Sequence, residues 1–188
     1  MAIKNTDGYA VLASSYTDGP ALSAAAAASM VPTYLPGICP STYWQIGRMW
    51  RITASGRISC AVTTPGTARF DVRLGGTVVW DSLEIPLNTT AQTNVGWTLK
   101  VLLTCRAAGS GSLTTIIGQG EWISAASLNV AAPATGPGPG GVVVPYASAP
   151  AVGSGVNTQT ALTWDVFHTQ TVATGALTCH QFLLEQMT

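Results

Sequence analysis

The sequence predicts an all-β chain: an antiparallel two-sheet sandwich of jelly-roll type, preceded by an extended N-terminal arm with one short helix. Three observations predict it. Runs rich in Val, Ile, Thr, Phe and Trp, with apolar and polar residues alternating, recur from Arg48 onward, the pattern of half-buried strands. Glycine and proline punctuate those runs, most clearly at Pro65-Gly66 and Gly75-Gly76. No helical pattern long enough for a crossover separates them, so the strands run antiparallel. About eight main strands favour a jelly roll. The alternative, an immunoglobulin-like sandwich, usually needs only about 100 residues.

Residues 1–40 are expected to form the arm and residues 41–188 the sandwich. Asp7-Gly8 and Asp18-Gly19-Pro20 are turn signals. Ser23 followed by Ala24 to Ala28 predicts a helix, from an N-cap residue and strong helix formers. Barely two turns long, it has to dock on something. Pro32, Pro36 and Pro40 then keep the chain extended. The arm would lie against its own domain, a neighbouring subunit or a larger scaffold.

Within the sandwich, Arg48 to Thr53 and Arg57 to Thr63 read as a hairpin turning at Ala54-Ser55-Gly56. The next hairpin turns at Gly75-Gly76, a loop free to take the positive φ angles of a type I′ turn. That loop would pair Leu74 with Thr77, Val72 with Val79 and Phe70 with Asp81, placing Phe70, Val72 and Leu74 on one face. Val95 to Arg106 is the longest strand, with Trp97, Leu99, Val101, Leu103 and Cys105 on its apolar side. Gly109-Ser110-Gly111 turns the chain into Ser112 to Ile123. Pro133 to Gly141 is too rich in Pro and Gly for regular structure. Val142 to Tyr146 reads as a short edge strand, because Pro145 forbids a central place. Thr160 to Gln170 and Ala176 to Gln186 close the sandwich around Ala173-Thr174-Gly175. The last of these carries apolar residues on both faces, Cys179 and Leu183 against Phe182 and Leu184. Such a strand is either central or pressed against another subunit.

Composition narrows function. Charged residues make up 9% of 188, against roughly 25% in a typical globular protein, and the formal net charge is zero. No basic patch is visible, so binding to a nucleic-acid backbone is not expected. No apolar run approaches the roughly 18 residues of a membrane span. A neutral, charge-poor surface stabilises a free monomer poorly, which points to subunit contacts; a coat of Ser, Thr and Gly would need none. Met1 leads into AIKNTDGYAVL, which lacks the basic start and apolar stretch of a signal peptide, so cytoplasmic folding is expected. Cys39, Cys60, Cys105 and Cys179 show no zinc-binding spacing. Reduced thiols buried in strands are expected, and the Asn88-Thr89-Thr90 sequon is then silent.

The chain carries little that reads as catalysis. Asp81 and Glu84 could form a glycosidase-like pair, but they read more simply as a solvated strand end. His168 and His180 sit on the last two strands, where a tight turn would let them approach. Without a carboxylate cluster they make no metal site. Nucleophile-elbow, HExxH and phosphate-loop motifs are absent. No enzyme activity, metal or cofactor is expected. Five tryptophans, at 50, 80, 97, 122 and 164, lie in strands and read as core. Tyr43 and Trp44, at the junction of arm and sandwich, are the candidates for exposed aromatic contacts.

Several segments together carry a resemblance: SAAAAASM, YWQIGRMWRITASGRIS, TPGTARFDVRLGGTVVWDS, LLTCR with GQGEW, and FHTQTVATGALTCHQFLLEQ. In motif order, from Ser23 onward, the chain resembles tailed-bacteriophage virion structural proteins of the capsid-decoration kind. The resemblance implies a jelly-roll structural protein, made in the bacterial cytoplasm and incorporated in the virion at the capsid surface. It implies a homo-oligomer, as a trimer, bound to the major capsid protein or another virion protein. Leu177, Phe182, Leu183 and Leu184 are the expected oligomer interface, because they crowd a terminal segment that would otherwise fray. The alternative is a carbohydrate-binding head-fibre or tail module that attaches to a host glycan, with Tyr43 and Trp44 as its contacts.

Overall fold

At Gly75 and Gly76 the backbone takes φ angles of 57° and 83°, which only glycine adopts without strain, and the chain reverses there as expected. The computed structural model describes residues 9–61, 64–110, 113–128, 140–173 and 175–187. The hairpin joins β5 (Thr67–Leu74) to β6 (Thr77–Asp81). Leu74 pairs with Thr77, but Val72 then faces Trp80 and Asp71 faces Asp81. The expected Val72–Val79 and Phe70–Asp81 pairs are displaced because Val79 is the extra residue of a bulge. Val79 and Trp80 are both buried as a result. The face of Phe70, Val72 and Leu74 is buried, as the alternation requires.

The remaining strands are β1 (Tyr9–Ser14), β2 (Ala27–Ser29), β3 (Gly37–Cys39), β4 (Met49–Cys60), β7 (Ile85–Pro86) and β8 (Gln92–Ala107). They continue with β9 (Thr115–Ser124), β10 (Gly140–Val144), β11 (Val152–Gly153), β12 (Leu162–Gln170) and β13 (Ala176–Met187). Among the described residues all strand pairings are antiparallel, and they build two sheets. The seven-stranded sheet runs β1-β13-β4-β8-β9-β10, with β11 also on β9. The six-stranded sheet runs β2-β12-β5-β6, with β3 on β12 and β7 on β5. The pairing is nested about the glycine hairpin. β5 pairs β6, β4 pairs β8, β12 pairs β2 and β3, and β1 pairs β13.

The core lies between the sheets. From β8 come Trp97, Leu99, Val101, Leu103 and Cys105, all buried, in the alternation expected of that strand. Trp50 and Ile52 of β4, Trp122 of β9 and Phe70 of β5 pack with them. Phe70 sits 5.9 Å from Trp97, 5.8 Å from Trp122 and 5.1 Å from His168. β10 forms an edge of the larger sheet, as expected, but it spans Gly140–Val144 rather than Val142–Tyr146: Gly140 and Gly141, read as loop, pair with Ser124 and Ile123, and the strand stops before Pro145. Residues 133–139 of the Pro/Gly-rich stretch lie outside the described residues.

Four local readings need correction. Ala54-Ser55-Gly56 does not turn: β4 runs unbroken from Met49 to Cys60 between β13 and β8. Gly56 is needed there because a Cβ would lie 1.9 Å from the Thr178 carbonyl oxygen. That close approach accompanies a bulge in β13 between Cys179 and Gln181, which explains the second correction. The bulge flips the inside–outside phase of β13. Leu177 and Cys179 before it, and Phe182 and Leu184 after it, therefore all face one core. A strand that reads as apolar on both sides is buried mainly on one.

Third, no helix forms at Ala24 to Ala28. Residues 24–26 bend and Ala27–Ser29 pairs with Phe167–Thr169 of β12. Two turns of alanine carry no side chains to dock, whereas the β12 edge supplies backbone partners and a Ser29–Asp165 hydrogen bond of 2.8 Å. The described part of the arm rests on its own domain. It contributes β1 to one sheet and β2 and β3 to the other, and buries Met30, Val31, Leu35 and Cys39. Residues 9–40 are therefore woven into the sandwich rather than set apart from it. Fourth, β12 and β13 belong to different sheets, so the segment between them crosses the sandwich instead of forming a hairpin. His168 is buried in the core, and His180 reaches Asp18 instead, with Nδ1 2.8 Å from a carboxylate oxygen.

Candidate functional surfaces

The residues expected to face partners are largely occupied within the chain. Leu177, Phe182 and Leu184 are buried in its own core, so they are not free to form an oligomer interface. Leu183 is half-buried on the opposite face, between Ser14 of β1 and Thr53 of β4. Trp44 is 2% exposed, packed 4.3 Å from the Trp50 ring, and corrects the expectation of an exposed contact. Tyr43 is half-buried. Its hydroxyl donates to Gln186 Oε1 at 2.6 Å and accepts from Trp50 Nε1 at 3.0 Å, while the Arg48 guanidinium lies over its ring. These aromatics lock the 40–50 segment onto the larger sheet; they present no platform.

The candidate reactive groups are equally occupied. Asp81 is held by a two-pronged Arg69 contact and by the Leu83 N–H, so it does not form an acid pair with Glu84. Burial pushes the His168 imidazole down to about 4, against a weaker opposing pull from the Arg69 backbone, and Phe70 packs beside it. Its ring nitrogens have no hydrogen-bond partner of good geometry. It is a neutral core residue at physiological pH. Among the described residues no group of His, Cys, Asp and Glu is arranged to hold a metal.

All four cysteines are free and buried. Burial raises each thiol, Cys39 to about 11 and Cys179 to about 12. The sulfurs of Cys105 and Cys179 each donate to a carbonyl two residues on, across the bulge that follows. Neutral thiols in such settings are poor nucleophiles.

Among the described residues two surfaces stand out as open. The first is the outer face of the seven-stranded sheet, which holds a shallow groove of about 720 Å³. Leu102, Ile117, Val143 and Met187 give it an apolar floor, with Arg51, Lys100, Arg106 and Glu121 around it. Arg51 binds Glu185 at 2.8 Å and Lys100 binds Glu121 at 3.3 Å, so much of the charge on this face is neutralised in place. Val143 is 60% exposed and Leu102 38% exposed. The outer face of the other sheet is different in kind. Arg69–Asp81 and Arg73–Asp71 pairs cover it, with the Arg73 guanidinium 3.8 Å above the Phe167 ring.

The second open surface lies where the chain leaves β1. Tyr16 is 81% exposed, yet its ring stacks on Tyr34 with centroids 4.4 Å apart and planes 22° from parallel. The Tyr34 hydroxyl accepts the backbone N–H groups of Tyr16 and Thr17 at 2.8 and 3.3 Å. Sequence reading missed this pair, because its members are distant along a stretch taken for an arm. A tyrosine in SSYTDGP, a run of small polar and turn residues, was the available signal. No protein-family description, curated protein or solved structure matches the chain.

Proposed function

We propose that the sandwich is a jelly roll and that the chain is a structural protein of a tailed-bacteriophage particle, a decoration or cement protein that assembles as a homotrimer on the capsid. The strand order supports the first part. β1-β13-β4-β8 faces β2/β3-β12-β5-β6, where β2 and β3 lie end to end along β12. Nested pairing of this kind is what two interlocked Greek keys produce, with β9, β10 and β11 added beside β8.

The outer face of the seven-stranded sheet carries the second part. It offers exposed Leu102 and Val143 beside charges that are already paired, on a chain with only 9% charged residues. Apolar side chains amid internally neutralised charge lose little solvation on association and gain area removed from water. This face replaces Leu177, Phe182 and Leu184 as the subunit contact. A closed ring gives each subunit two unlike faces to bury, and three copies is its simplest form beyond a dimer.

The test is the mass of the protein in solution and its uptake by particles. Light scattering should give a trimer for the natural chain and smaller species for the Leu102→Glu, Val143→Glu double variant, which should also load poorly onto capsids. A monomeric natural chain, or an unchanged trimer in the double variant, overturns the assembly reading.

A second reading, a carbohydrate-binding head-fibre or tail module, loses Tyr43 and Trp44 as contacts. It gains the Tyr16–Tyr34 pair.

A further inference from the structure

We propose that Tyr16, backed by Tyr34 and followed two residues on by Asp18 in its pair with His180, is a binding platform for a pyranose ring. The inference deepens the carbohydrate reading and does not depend on assembly.

The first argument is order. An aromatic ring as exposed as Tyr16 ordinarily turns freely, and ligand binding then has to immobilise it. Here one face is already stacked on Tyr34, and Tyr34 is fixed by accepting main-chain N–H groups from Tyr16 and Thr17. The stacked pair and the loop below it hold each other. The outer face of Tyr16 is thus presented to solvent in one orientation, with little ordering left for a ligand to impose.

The second argument is what surrounds it. Residues 15–19 run beside β13: Ser15 exchanges hydrogen bonds with Phe182, and the Gly19 N–H donates to the Cys179 carbonyl. This places Asp18, two residues beyond Tyr16, against His180 of β13 at 2.8 Å. A flat apolar face with a carboxylate–imidazole pair close by suits a sugar ring, whose C–H face stacks while its hydroxyls hydrogen-bond at the rim. Nucleobases also stack on tyrosine, but they bring phosphates, and a carboxylate at the rim repels those. Proline-rich peptides dock in furrows between aromatic side chains. These two rings close on each other and leave no furrow.

Saturation-transfer NMR on the full chain tests this with methyl glycosides of glucose, galactose, mannose, N-acetylglucosamine and rhamnose. At least one should show transfer to its ring C–H protons, with affinity of about millimolar order, as a single open platform allows. Tyr16→Phe should keep the signal. Tyr16→Ala, which removes the exposed ring but no core side chain, should abolish it, and Asp18→Asn should weaken binding several-fold. No transfer from any glycoside, transfer undiminished in Tyr16→Ala, or shifts at Tyr16 caused by a polyproline peptide and by no sugar would each overturn the proposal. Light scattering on Tyr16→Ala should still give the natural mass, which separates this test from that of assembly.

Discussion

His168 makes the stability of the sandwich depend on pH through one buried ring. It lies on β12 opposite Phe70, is 1% exposed, and has its pKa pushed down to about 4 by burial. In the unfolded chain the same imidazole titrates at about 6.5. Above that pH both states are neutral and the residue contributes no pH dependence. As the pH falls below it, the unfolded chain takes up a proton that the folded core refuses, so unfolding becomes easier until the folded pKa is passed. At pH 5 the difference amounts to about 2 kcal/mol, from a shift of about 2.5 units. For a domain of this size that lowers the melting temperature by about 4–8 °C. Asp165 acts in the opposite sense, because burial raises its carboxyl and protonation at low pH then relieves the fold. It is common to both proteins in the comparison and cancels. The assay is urea or thermal unfolding of the natural chain and of His168→Leu at pH 7 and pH 5. The leucine fills the space without nitrogens to desolvate and should be at least as stable at pH 7. The natural chain should lose about 2 kcal/mol more than the variant between the two pH values. Parallel losses in both proteins would show that His168 is not excluded from protonation, and the reasoning from burial would fail.

Other consequences can be measured with the same equipment. Gly56→Ala should lose about 1–3 kcal/mol, because its Cβ meets backbone, while Gly96→Ala, with open space around it, should change little; equal effects would remove the structural reason for Gly56. Leu184→Ala should lower the urea midpoint by an amount equivalent to about 2–5 kcal/mol, as core truncation does, and should not act first on oligomer mass. A dissociated variant with unchanged stability would return this residue to the subunit contact. The four thiols should be inert to a thiol reagent in the folded protein and all react in denaturant; a disulfide in the non-reduced mass would contradict that.

Alternation and turn chemistry were readable where neighbours along the chain decide the structure. β8 shows this best: its five buried positions follow from residue order alone. So does the reversal at Gly75-Gly76. Where distant partners decide, local signals misled. Gly56 looks like a turn residue, yet the reason for it is the Thr178 carbonyl on another strand. The phase flip in β13 has no local sign, and without it Phe182 falls on the wrong face. Alanine favours helix only when nothing better is offered, and the β12 edge offers three paired residues. Trp44 reads as exposed because it sits at the junction of arm and sandwich, but Tyr43, Trp50 and Arg48 enclose that corner. The Tyr16–Tyr34 platform required knowing that the supposed arm folds back.

The nested pairing also sets the order in which the fold can come into being. β5 and β6 can meet as soon as both exist, but every pair outside them closes a longer loop, ending with Tyr9 against Met187. Loop entropy grows only slowly with length, so the outer pairs cost little stability; what they cost is time. β4 feels this most. One of its edges is covered by β8, while the other waits for Ala176–Met187, the last of the strands in chain order. Until then Trp50 and Ile52 lie in a strand with an open edge and an unfinished core. During synthesis the nascent chain is therefore most exposed to aggregation along β4, and prompt arrival of β13 does more to protect it than the early hairpin does.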